Sequence, residues 1–335
     1  HPYIQYYGRW DMTDPLRPRH SWPGAYVYLE FTGTGVGIRT DDDADYFNVY
    51  IDGELRRVFH AQKSSEEIYT LAEGLPSGNH RLLLTKRNFA FGRVLSLSGF
   101  VIDDDARLLA PPDPPQRKIE FIGDSFTAAE GNEATKATMP WEETFPVTNI
   151  DLGFAPLVAR HFGAQYHTTC RSGSGMVCDW QGKEEPAIPQ LFDRTLMEAP
   201  EPKWDFASWV PDVVVICLGL NDHSGLKNSA GEVSAEKSAQ FREEYRNFVG
   251  LLRLVYPEVT IVAVAAPVDW IKTNVQQVVA DEKAAGRQDI FYTQFDYFEG
   301  GYVNNGHPNV ETHRKIAEQI IKGLEQTGRF SPAKP

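Results

Sequence analysis

The sequence predicts two unlike parts in one chain, a small all-β sandwich followed by a parallel α/β sheet. Three observations predict it. Before residue 110, short apolar runs alternate with frequent turn residues, as in antiparallel β structure. The segment Ala110-Pro111-Pro112-Asp113-Pro114-Pro115-Gln116 is then a stiff, extended connector. Beyond it, apolar runs alternate with longer helical patterns, as in a parallel sheet covered by helices. The expected boundaries are a sandwich over 1–110, a linker over 111–117 and an α/β domain over 118–330. A length of 335 residues agrees with two domains.

In the first part, residues 26–31, 36–40, 46–51 and 81–85 read as strands. Turns are expected at Gly33-Thr34-Gly35, Asp52-Gly53 and Ser77-Gly78-Asn79. Asp-Gly between apolar runs is a hairpin signal. In the second part, residues 118–122, 164–170, 213–218 and 259–265 read as strands, the third an unbroken apolar run. Residues 234–256 form the clearest helix. Phe241, Tyr245, Phe248, Val249 and Leu252 give it one apolar stripe, and Pro257 ends it. A last helix is expected over 311–324.

The strand that starts at Lys118 ends in Gly123-Asp124-Ser125. Open parallel sheets place reactive groups at the carboxyl ends of their strands. A glycine there lets the chain turn sharply, and Asp124 is expected to brace the turn by hydrogen bonds. Three further loops carry matching chemistry. They hold Gly173 in Arg171-Ser172-Gly173-Ser174-Gly175, Asn221 in Gly219-Leu220-Asn221-Asp222, and His307 in Gly306-His307-Pro308-Asn309. A serine hydroxyl becomes a nucleophile when a neighbouring imidazole takes its proton. The N–H groups of Ser125 and Gly173 and the amide of Asn221 are the candidate oxyanion donors. Losing one such donor costs about 2.7–4 kcal/mol of transition-state stabilisation. Taken singly, Asn221 reads as a cap and Gly173 as a positive-φ position. Taken with Ser125 and His307, they read as one site.

This order, over about residues 117–330, resembles the SGNH (GDSL-like) hydrolase superfamily. There a Ser nucleophile, a Gly N–H, an Asn side chain and a His base form one site. The resemblance implies a three-layer α/β/α domain and an acyl-serine mechanism with no metal or other cofactor. The superfamily usually carries an Asp two or three residues before the His. Here those positions are Asn305 and Asn304. Three arrangements follow. A backbone carbonyl or an Asn oxygen orients His307 in a Ser–His dyad; or a distant acid, Asp296 or Glu299, reaches in; or activity is lost. The dyad is the expected arrangement.

A small sandwich joined to such a domain is similar to carbohydrate esterase family 2. Gly8-Arg9, Tyr46-Phe47 with Asp52-Gly53, residues 121–127 and His307-Pro308-Asn309 carry the likeness. It implies a jelly-roll sandwich and removal of acetyl groups from plant cell-wall polysaccharides such as xylan or glucomannan, often at O6 of hexoses. It also implies a bacterial protein that is secreted or periplasmic, and a monomer is expected. The chain begins at His1 and not at Met, so a trimmed or processed product is expected.

Sugar rings present apolar C–H faces that an indole covers well. Trp141, Trp180 and Trp270 follow catalytic-sheet strands and are candidate substrate platforms, with Trp270 foremost; the bland reading of each is packing. His223 adjoins Asn221 and is a candidate pocket residue. Asp41-Asp42-Asp43 with Asp45, and Asp103-Asp104-Asp105, lack the spacing of a calcium loop and read as solvated. His161, His167, His223 and His313 show no zinc spacing. Cys217 reads as a buried thiol, and Cys170 and Cys178 could bridge across the Gly-rich loop. A net charge of −13 argues against a nucleic-acid footprint and against anionic membranes. No apolar run approaches the ~18 residues of a membrane span. Two further classes stay open: an SGNH esterase for lipids or other acyl esters, and a catalytically weak carbohydrate-binding protein.

Overall fold

The computed structural model describes residues 1–63, 65–183 and 186–330. Its N-terminal part holds two antiparallel sheets. One has the spatial order Ile4–Tyr7, Tyr26–Gly33, Gly78–Lys86, Tyr46–Ile51, Glu54–His60, with Leu108–Leu109 also paired to Tyr26–Gly33. The other runs Arg19–His20, Leu95–Ile102, Val36–Thr40, Glu67–Ala72. Alternate residues turn inward, as the two-residue period requires. Val27, Leu29 and Phe31 meet Ile38, Val49, Leu82, Leu84 and Leu97 in the core. The Asp52-Gly53 turn forms with φ of 56° and 89°, positive at both positions as this hairpin demands. Ser77-Gly78-Asn79 is not a turn: Gly78 and Asn79 pair with Gly33 and Thr32 inside the sheet. Glu54–His60 left no apolar pattern to read because most of it is exposed at a sheet edge.

The C-terminal part is a five-stranded parallel sheet. Its order is Ala164–Cys170, Arg117–Gly123, Val213–Cys217, Thr260–Ala265, Ile290–Gln294. Helix Phe154–His161 packs with Val310–Glu325, and Ala235–Val255 packs with Asp269–Ala284. Right-handed crossovers put these pairs on opposite faces, because the strand order reverses beside Arg117–Gly123. That reversal opens a crevice at the carboxyl ends. Ala235–Val255 buries the five predicted stripe residues, and Ser234 caps it by accepting from the Lys237 N–H. The last helix, Val310–Glu325, is capped in the same way by Asn309. Among the described residues, no helix is long and apolar enough to cross a membrane.

The two parts meet through buried groups. Arg9, in the sandwich part, sends its guanidinium 2.9 Å from Glu120 on the strand that leads to Ser125. It also donates to the carbonyls of Phe192 and Arg194. Thr169 donates to the same Glu120 oxygen. Beside this pair, Trp22 and Phe89 pack on Ala128, Ala129, Ile150, Cys170, Leu191 and Met197. Breaking one partner of a buried pair strands the other charge, at about 3–5 kcal/mol. Arg9→Met is therefore expected to lose about that much stability in urea unfolding, and adding Glu120→Gln to recover a large part of it. Equal stability of parent and Arg9→Met would show that the pair carries no such weight.

Candidate active site

Ser125 stands at the end of the second strand in the sheet order, in the crevice. Glycine is needed at 123, though not for its φ. A Cβ there would lie 2.0 Å from Thr127 Oγ1 and 2.9 Å from the Cys217 carbonyl. The chain after it coils tightly: the Glu130 N–H donates to the Ser125 carbonyl at 3.0 Å, and Ala128 N–H to that of Asp124. Asp124 braces this turn as expected, accepting the Phe126 N–H at 3.0 Å. Burial pushes its carboxyl up to about 7, helped by Asp222 and Glu130.

The Gly173 loop follows the neighbouring strand, and the Arg171 N–H bonds back to the Gly123 carbonyl. Gly173 has a φ of +79°, so its bland role is real as well. The loop is held from below by Asp222. That buried carboxylate accepts the N–H groups of Met176 at 2.9 Å, Val177 at 2.7 Å and Cys178 at 3.3 Å. Burial nonetheless moves it up to about 6. Asn221, one residue before, donates one amide proton to the Ser174 carbonyl at 3.0 Å and the other, more weakly, to Asp124 Oδ2 at 3.4 Å, the bond an oxyanion would have to replace. Among the described residues, the Ser125 and Gly173 N–H groups make no hydrogen bond and are open to an oxyanion.

His307 lies across the crevice. Asn304, Asn305 and Gly306 precede it with φ of 38°, 61° and 92°. Asn is among the few residues that enter this left-handed region readily. The Asn304 and Asn305 N–H groups tie the turn to the carbonyls of Lys136 and Ala137, and the Asn305 amide reaches the Met139 carbonyl. The turn aims the Asn304 carbonyl at His307 Nδ1, 2.6 Å away. In the neutral tautomer Nδ1–H donates, which leaves Nε2 free to take a proton. A backbone carbonyl thus occupies the orienting position. Asp296 is bonded to Gln319 instead, and Glu299 is exposed. Phe126 stacks at a tilt on the His307 ring, 5.8 Å between centres. The Glu130 carboxylate stands 3.8 Å from Nε2. The Ser125 hydroxyl and His307 are not yet hydrogen-bonded; such bonds commonly tighten only around substrate.

The aromatic candidates differ. Trp180 is 57 % exposed and packs beside Gly173, whose carbonyl takes its N–H. Trp141 is 38 % exposed and stacks on Phe91 from the sandwich part. Trp270 is braced, its ring against Phe241 and His223 and its Nε1–H on Ser238. His223 is half-buried, and desolvation lowers its pKa. Cys217 is a buried thiol, as expected, and Cys170 is a buried thiol that makes no bridge to Cys178. One expectation fails. Asp42 and Asp45 are not solvated but fully buried with His20, where the Lys86 ammonium sits 2.7 Å from Asp45. That internal ammonium offsets part of the cost of burying the two acids, both of which burial still raises. Glu130 and Asp222 were not singled out from sequence, because neither carries a local pattern.

Residues 6–112 match the family model described as "Carbohydrate esterase 2 N-terminal". The chain is 30% identical over 325 residues to an acetylxylan esterase / glucomannan deacetylase of Cellvibrio japonicus, spanning 94% of this chain and 87% of that protein. The chain belongs to carbohydrate esterase family 2. It is also 32% identical to the cellulase/esterase CelE of Acetivibrio thermocellus, over 97% of this chain, but spans only 39% of that longer protein. Among solved structures, a family two carbohydrate esterase from Clostridium thermocellum in complex with cellohexaose superposes with a TM-score of 0.89 at 31% identity, covering 97% and 99% of the two chains. This family 2 chain therefore shares both parts of the fold with its relatives.

Asp124 generates a pH test. Its carboxyl is raised from 3.8 to about 7 on folding. The stability it contributes is thus full below about 3.8 and lost as pH rises through about 7. Asp222 and Asp45 shift the same way and remain in an Asp124→Asn variant. The melting temperature of Asp124→Asn minus that of the parent should be higher at pH 8 than at pH 5. About two pH units at 1.36 kcal/mol each give roughly 2–3 kcal/mol, so the expected gain is about 5–10 °C at ~2–4 °C per kcal/mol for a large domain. An unchanged difference would mean that Asp124 is not a buried, proton-holding acid.

Proposed function

We propose that this chain is a carbohydrate O-acetyl esterase acting on acetylated plant cell-wall polysaccharide by a Ser125–His307 dyad. The observation that carries the reading is the His307 ring held through Nδ1 by the Asn304 carbonyl, facing the Ser125 loop across the crevice. Nε2 takes the Ser125 hydroxyl proton as Oγ attacks the acetyl carbonyl. The resulting oxyanion is met by the Ser125 and Gly173 N–H groups and the Asn221 amide. Nε2 then passes the proton to the departing sugar oxygen, leaving acetyl-Ser125. Water, activated by the same nitrogen, releases acetate and restores the hydroxyl.

The relatives named acetylxylan esterase / glucomannan deacetylase support the polymer class. The exposed indole of Trp180 beside Gly173 supports a sugar platform there, more than the braced Trp270 does. An exported location goes with a polymeric substrate. A second reading has one observation in its favour. A solved structure of 28% identity and TM-score 0.85 is described as a carbohydrate esterase whose active site has divergent catalytic and non-catalytic binding functions. On that reading this site would hold glycan with little turnover.

Acetate release from acetylated xylan and acetylated glucomannan separates the readings. The parent is expected to release acetate from at least one, and Ser125→Ala to lose at least about 10³-fold, since only binding and oxyanion donors remain. Glycan binding unchanged by Ser125→Ala, with no release by the parent, would favour the second reading. Rapid hydrolysis of long acyl esters alone would favour a lipolytic enzyme. Trp180→Ala should raise KM on polymer by roughly tenfold, equivalent to ~1.4 kcal/mol, with kcat nearly constant. An unchanged KM would remove Trp180 from the substrate site.

A further inference from the structure

The dyad leaves one physical need unmet. When His307 takes the serine proton it becomes a cation, and its Nδ1 partner is a carbonyl dipole without a full charge. A carboxylate normally answers that cation, and positions 304 and 305 hold amides. Glu130 stands on the other side of the ring, its Oε2 3.8 Å from Nε2, with the two side chains 6 % and 16 % exposed. Its own N–H is bonded to the Ser125 carbonyl at 3.0 Å, so carboxylate and nucleophile are held in fixed register.

The other charged or titratable groups around the ring do not supply this charge. Asp124, next to the nucleophile, is raised by burial to about 7, and Asp222, behind it, has both oxygens engaged by the N–H groups of Met176, Val177 and Cys178. His313, on the last helix, is kept neutral by burial, down to about 3. Tyr302, on the strand paired with His307, is raised as well. Lys136 and Glu143, from the segment that ties the Asn turn, face one another at the surface.

We propose that Glu130 is a positioning residue that does the electrostatic work of the absent triad acid, stabilising the His307 imidazolium from its Nε2 side. This rests on the Ser125–His307 esterase reading. The proton travels from Ser125 Oγ to Nε2 and on to the leaving sugar oxygen; Glu130 gains and loses nothing.

Glu130→Gln keeps the shape and the backbone bond and removes the charge. The test compares it with the parent and Glu130→Asp in kcat/KM against pH on acetylated xylan, with Ser125→Ala as the blank. His307 is also titrated by NMR in each folded protein, its signal assigned by His307→Asn. An opposite charge within about 4–6 Å moves such a group by about 1–3 pH units. The His307 midpoint and the acid limb of the profile are therefore expected to move about one unit lower in Glu130→Gln. The plateau kcat should fall about tenfold or more, with KM within about twofold, and Glu130→Asp should stay closer to the parent. A Gln variant with the parent's midpoint overturns the proposal, and so does one with the parent's kcat. The NMR midpoint reports on Glu130 even if the parent releases no acetate, an outcome that would fail the esterase reading by itself.

Discussion

The buried charge of Glu120 is the constraint on which the architecture depends. It sits on the strand that delivers Ser125, inside a sheet otherwise filled by Ile119, Phe121 and Ile122. A carboxylate in such a place is costly unless it is paired and hydrogen-bonded. Thr169 from the adjacent strand provides one bond, and the countercharge comes from Arg9 in the sandwich part. The parallel sheet therefore completes its own electrostatics only with the N-terminal part in place. The guanidinium is further surrounded by Trp22, Phe192, Trp204 and Phe206, which shield the pair from water.

The same junction supports the Ser125 loop. Ala128 and Ala129, in the coil after Ser125, pack against Trp22 and Phe89 of the sandwich part. Phe91 stacks on Trp141 and lies under the Arg171 guanidinium, at the start of the Gly173 loop. Two loops that present candidate oxyanion donors are thus backed by the N-terminal part. The sandwich has a structural role here whether or not it also touches glycan.

The site itself is organised by backbone groups more than by charges. Asp222 gathers three successive N–H groups and so shapes the loop around Gly173. The Asn304-Asn305-Gly306 turn spends its strain on aiming one carbonyl at His307. The amides that replace the usual acid are therefore suited to the turn: Asn tolerates the left-handed backbone and supplies side-chain bonds to the 136–144 segment.

The sequence by itself determined the two-part fold. Eight strand runs, the 234–256 stripe and the Asp-Gly hairpin are local patterns, and local patterns are what side-chain periodicity records. It also placed Ser125, Gly173 and Asn221 just after strand runs and His307 just before the last helix; in the structure Asn221 lies in the short helix Leu220–Gly225 that follows its strand. Only the tertiary structure decided how His307 is oriented, that Asp42 and Asp45 are buried around Lys86, and that Cys170 stays a thiol. It alone paired Arg9 with Glu120 and set Glu130 against Nε2. Each of these joins residues distant in the chain or rests on a backbone carbonyl, and such pairings leave no period, spacing or composition for a sequence to display.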